Sequence, residues 1–74
     1  MYKLVIATKA RGKVVASYSS QFKSALKFMA FDKLTPHRLA VIFNENEEVD
    51  TIYELSDIGV PIEVTDNYNV EAEF

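Results

Sequence analysis

The chain has no cysteine, so disulfides and thiolate metal sites are excluded. That absence suits a reducing compartment. Glycine is nearly absent: Gly12 and Gly59 are the only two in 74 residues. Phosphate-cradling loops of the Walker or dinucleotide type need several glycines, which excludes both. Long apolar runs are missing as well. LVIA and AVIF fall far short of the roughly 20 residues of a membrane helix. The opening MYKLVIATKARGK lacks the apolar stretch and cleavage site of a signal peptide. The expectation is a complete cytoplasmic product starting at Met1. Histidine occurs once, at His37. A nucleophilic relay needs a histidine held between a carboxylate and a nucleophile. Nothing in the sequence supplies partners for His37, which reads as an exposed turn residue after Pro36. Finally, no Lys or Arg follows Arg38.

What is present is a chain long enough for a single domain, 1–74, with a thin core. It is 49% hydrophobic and 12% aromatic, enough to fold without a covalent staple. Residues 2–8, YKLVIAT, and 13–18, KVVASY, are apolar runs rich in β-branched and aromatic side chains. The KARG linker places Gly12 where a positive φ is needed, so the pair reads as a β-hairpin. Ser19 and Ser20 are suited to cap a helix. In the segment 20–34, Phe22, Ala25, Leu26, Met29 and Ala30 recur at helical spacing. Thr35-Pro36 ends that helix. Phe28 and Phe31 fall outside the apolar stripe, which predicts either a further cover or a partner-facing patch. RLAVIF, 38–43, is near-continuously apolar and predicts a central strand buried on both faces.

The stretch NENEEVDTIYELS, 44–56, reads in two ways. As a strand, NENE is a hairpin turn and Val49, Thr51, Tyr53 and Leu55 share a face. As a helix over 46–58, Asn44 is the N-cap and Glu47 completes a capping box. Glu47 and Glu48 then sit at the favourable end of the macrodipole. Gly59 and Pro61 stop it. Start and stop punctuation agree with the helix, which is the preferred reading. VPIEVT, 60–65, is a last strand, and 66–74 is an acidic tail, either a short edge strand or loose. The expected fold is α+β: a mixed or antiparallel sheet packed by helix 20–34, in the order ββαβαβ, with ββαβββ as the alternative.

Charge is distributed unevenly. Residues 1–38 hold eight bases and one acid, Asp32; residues 39–74 hold ten acids and no base. The halves carry +7 and −10, which give the net −3. Such asymmetry points to a charged partner or to one half neutralising the other. Glu45, Glu47, Glu48, Asp50, Glu54 and Asp57 are the candidate partner-binding acids, expected on one face toward a basic surface. Phe28 and Phe31 supply an apolar anchor. The oxygen-rich set Glu45, Glu47, Glu48 and Asp50 has neither the spacing nor the glycine of a calcium loop. No metal, cofactor or catalytic residue is assigned. Lys9, Arg11, Lys13, Lys23 and Lys27 form an alternative nucleic-acid patch, opposed by the overall acidity and the lack of an RNA-binding signature. Self-association, basic face to acidic face, is a third reading. In character the chain is like short accessory reading frames of phages and mobile elements. The expectation is therefore a non-enzymatic protein–protein interaction module, a phage-encoded modulator or inhibitor of a host nucleic-acid-handling protein.

Overall fold

A computed structural model describes residues 1–64. The elements are β1 (Tyr2–Thr8), β2 (Val14–Ser20), α1 (Lys23–Lys33), β3 (Arg38–Phe43), β4 (Val49–Leu55) and β5 (Pro61–Glu63). The strands form one antiparallel sheet in the spatial order β2-β1-β3-β4-β5. The element order among the described residues is ββαβββ, not ββαβαβ, because 46–58 is not a helix. The tail 66–74 lies outside the described residues.

β1 and β2 join as the hairpin that the sequence predicts. The Gly12 N–H donates to the Thr8 carbonyl at 2.9 Å, with Gly12 at φ 65°. The Lys13 N–H donates to Thr8 Oγ1 at 3.1 Å. Because β2 and β3 both run antiparallel to β1, they are parallel to each other. Parallel strands require a crossover connection, and α1 supplies it by packing across β1, β2 and β3.

The helix is shorter than the expected 20–34. Ser19 and Ser20 pair with Lys3 and Tyr2 in the ladder, which holds them extended. Ser20 Oγ accepts from the Phe22 N–H at 3.0 Å, and Phe22 is the N-cap without a side-chain cap bond. The buried stripe is Leu26 and Ala30, with Met29 partly buried beside them; Phe22 and Ala25 face water. Leu34 leaves the helix with extended backbone, and its N–H donates to the Ala30 carbonyl at 3.1 Å.

The acids of 44–48 build a turn. Asn44 Oδ1 accepts from the N–H groups of Asn46 (2.8 Å) and Glu48 (3.1 Å). The Glu47 N–H donates to the Asn44 carbonyl at 3.1 Å, and the Asn44 N–H donates to the Glu48 carbonyl at 2.8 Å. Glu47 stands at φ 62°, a left-handed conformation that a helix interior excludes. Asn44 thus uses its side chain as expected of a cap, but to close a hairpin. β4 then carries a bulge: Ile42 pairs with Thr51 while Phe43 pairs with Val49. The extra residue, Asp50, breaks strict alternation and obscures the strand pattern in the sequence.

The β4–β5 turn repeats this design at 56–60. The Ser56 N–H donates to the Val60 carbonyl (2.8 Å), the Gly59 N–H donates to the Ser56 carbonyl (2.9 Å), and the Val60 N–H donates to Ser56 Oγ (3.2 Å). Gly59, expected to stop a helix, takes φ 80° in this turn. β5 begins with Pro61 on an edge strand, where a missing donor is tolerated.

The sheet is apolar on both faces. Beneath α1, Leu4, Ile6, Ala40, Ile42 and Tyr53 pack with Leu26, Ala30 and Leu34. On the opposite face Leu39, Val41, Ile52 and Val64 form a second cluster, joined by Phe43 and Val49. RLAVIF is accordingly buried on both sides, as its unbroken apolarity predicts.

Candidate functional site

Strand direction decides which charges meet. Thr8 pairs with Arg38, Lys3 with Phe43, and Ala40 with Tyr53. The β1–β2 loop, the turn after α1 and the β4–β5 turn therefore share one end of the sheet. The N-terminal residues, the start of α1 and the β3–β4 turn share the other.

The six candidate acids do not occupy one face. Glu45, Glu47 and Glu48 project together from the β3–β4 turn, all exposed. Asp50 lies at the same end but is committed to an ion pair with Lys23 of α1. It also accepts from Thr51 Oγ1 at 3.0 Å. Glu54 sits toward the opposite end, 2.9 Å from Lys9 Nζ. Asp57 stands in the β4–β5 turn at that same end. A helix over 46–58 brings five of the six onto one element's surface, with Glu45 just before its start; a strand of seven residues between two turns sends the acids to opposite ends.

The five candidate bases are divided as well. Lys9, Arg11 and Lys13 share the β1–β2 loop, and the Lys9 N–H donates to the His37 carbonyl at 2.9 Å. These residues surround a shallow depression with Ala10, Pro36 and His37. Lys23 lies at the acidic end, bonded to Asp50. Lys27 is mid-helix, its ammonium 5.8 Å from the Phe31 ring centroid. Among the described residues, the contacts Lys9–Glu54 and Lys23–Asp50 join the basic and acidic halves.

Electrostatics at these contacts follow the geometry. The hydrogen bond from Lys23 holds the Asp50 carboxyl below the usual carboxylate range, opposed by desolvation. The same bond raises Lys23. Burial pushes the Tyr53 phenol up, helped by the charge of Glu63.

The two phenylalanines differ. Phe31 is 40% exposed and meets Tyr53 edge-to-face, with centroids 5.1 Å apart, extending cover from α1 to β4. Phe28 is 80% exposed. They therefore form at most a narrow apolar ridge, half of it engaged within the fold.

Sequence reasoning missed an open groove beside the acidic turn. Tyr2, Lys3, Val5, Phe43 and Val49 line it together with Glu45, Glu47 and Glu48. The signal was present in the internal likeness of NENEE and SDIGV, each opening with a side-chain acceptor and carrying a left-handed residue at its fourth position. Glu47 occupies the place that Gly59 fills in the second turn.

Among the described residues, no three His, Asp or Glu side chains gather as a metal site. No helix there is long and apolar enough to cross a membrane. No protein-family model matches the chain, and neither the curated proteins nor the solved structures yield a match.

Proposed function

We propose that the protein is a non-enzymatic interaction module whose acidic turn, Glu45, Glu47 and Glu48, docks a partner protein with a basic surface. The observation that carries this reading is Glu47 at φ 62°. A long side chain in the left-handed region costs free energy that glycine avoids. Retaining a carboxylate there suits a side chain that is used, since backbone strain gathers at functional sites. The flanking groove gives the contact an apolar floor in Tyr2, Phe43 and Val49. Three exposed carboxylates on a rigid turn supply long-range attraction and register; the floor supplies desolvated area. Asp50 is a positioning residue in this scheme, since its carboxylate is already engaged with Lys23.

A protein that handles nucleic acid carries the required basic surface. A phage-encoded modulator of such a host protein is the biological setting that fits. The test is affinity capture from a host lysate at low and high salt. The triple substitution Glu45→Lys, Glu47→Lys, Glu48→Lys removes the salt-sensitive partner, whereas Asp57→Lys at the opposite end retains it. If the triple variant captures the same partners as the parent, the acidic turn is not the contact.

The second reading rests on Lys9, Arg11 and Lys13 beside His37. It requires salt-sensitive retardation of DNA or RNA in a gel shift, lost on replacing the three bases with Gln.

A further inference from the structure

We infer that the chain forms a two-fold dimer by antiparallel pairing of β2 with β2 of a second copy. The first observation is position. β2 ends the strand order β2-β1-β3-β4-β5, and among the described residues it pairs with β1 alone. Alternate N–H and C=O groups of an edge strand point outward and template a further strand. The occupant that fits such an edge is extended main chain.

The second observation is composition. β2, VVASYSS, is the one strand among the described residues without a charged side chain. Lys3 in β1, Arg38 in β3, Asp50 and Glu54 in β4 and Glu63 in β5 mark the others. Yet none of the seven residues of β2 is buried, and Val14 and Val15 are 49% and 43% exposed. Edges that remain unpaired are guarded by charge, proline or short length. β5, at the other end of the strand order, has all three: it is three residues long, opens with Pro61 and closes with Glu63. The bulge in the β1–β2 ladder sits at the start of β2, so pairing from Ala16 to Ser20 is regular. One edge is blunted and the other is left open.

The third observation is that β2 complements itself. A two-fold axis through Ser17, its midpoint, sets Ala16 opposite Tyr18 and Val15 opposite Ser19 of the second copy. No like charges oppose each other in that ladder, and the exposed valines lose contact with water. Both copies of α1 then lie on one face of a continuous sheet. α1 packs across β1, β2 and β3, which centres it near β1. From β1 to β1 of the second copy is three strand spacings, roughly 14 Å. Packed helices need about 8–10 Å, so the two helices do not collide. This contact is main chain and apolar, unlike a basic end meeting an acidic end, and salt does not weaken it.

Light scattering of the full chain over rising concentration tests the proposal. The expected mass climbs toward that of two chains, equally at low and high salt. Ser17→Lys and Ser17→Glu each set like charges opposite one another, and each holds the mass at one chain. Mixing these two variants at low salt restores the dimer, which also shows that both are folded. Ser24→Lys, at an exposed position on α1, leaves the dimer intact. A parent that stays at one chain throughout leaves the edge to a strand of another protein and overturns the proposal. So does a dimer that survives Ser17→Lys, or a mixture that stays monomeric. Association that high salt removes assigns the contact to the oppositely charged ends and overturns it as well.

Discussion

Glu47 and Gly59 are the same position in two copies of one turn, with and without a side chain. Glu47→Gly relieves left-handed strain at the cost of glycine's extra freedom in the unfolded chain. The expected net gain is about 0.5–1 kcal/mol. Gly59→Ala adds a Cβ that meets nothing within 4 Å, so its cost is conformational and amounts to about 1 kcal/mol. Urea unfolding checks both, as midpoint shifts of opposite sign at constant slope. Under the proposed function, Glu47→Gly is more stable and binds more weakly, a combination that a purely structural role does not produce.

Asp50 gives the second prediction at this scale. Its carboxyl is depressed, so the stabilisation it contributes is present above the ordinary Asp pKa of about 3.9 and is lost as pH falls through its folded value. Lys23 is raised, so its contribution holds below the ordinary Lys pKa of about 10.4 and is lost as pH rises beyond that. Both side chains are partly exposed, which limits the pair to about 0.2–1 kcal/mol. Asp50→Asn is expected to lower stability by that amount at pH 7. The two proteins converge in acid, as thermal melts across pH 2–7 will show. The alkaline limb is a poorer test, because the raised Tyr53 phenol contributes there with the same sign.

At the scale of elements, α1 shows how burial separates residues of similar polarity. Leu26 is fully buried against β1 and β3, and Phe28 two positions on is exposed. Leu26→Ala should cost about 2–5 kcal/mol, and Phe28→Ala within about 0.5 kcal/mol. The first is a large fraction of the roughly 5–15 kcal/mol available to a native domain, so circular dichroism melts distinguish them readily. The hairpin β1–β2, the helix core and the doubly buried β3 were legible in the sequence, because local spacing and burial agree there. The segment 44–56 was not. Asn-x-x-Glu followed by an apolar arc satisfies a capped helix and a side-chain-closed turn equally well. The bulge at Asp50 removed the alternation that would have separated them. Pairing of Val41 with Ile52 and Ile42 with Thr51 settles the matter, and such cross-strand pairing leaves no mark in the local spacing of side chains.

At the scale of the molecule and among its described residues, the charge asymmetry of the sequence becomes an asymmetry of ends, bridged by Lys9–Glu54 and Lys23–Asp50. The basic loop at 9–13 and the acidic turn at 44–48 stand at opposite ends of the sheet. Association driven by the acidic end is expected to weaken steeply between low and high salt, since screening acts over about 10 Å at 0.1 M. Light scattering of the isolated protein reports whether basic and acidic ends also join copies head to tail: a mass that falls with salt supports it, and a salt-independent monomer removes it.

Composition and local pattern by themselves determined that this chain packs helix on sheet, that β3 lies at the centre, and that cations precede anions along the polypeptide. Only tertiary structure decided which of those charges are spent on each other and which reach a partner. The reason is geometric. Strand pairing, not sequence separation, sets the distance between Lys9 and Glu54 or between Lys23 and Asp50. A single residue held in the left-handed region turns a would-be helix start into the hairpin that presents Glu45, Glu47 and Glu48.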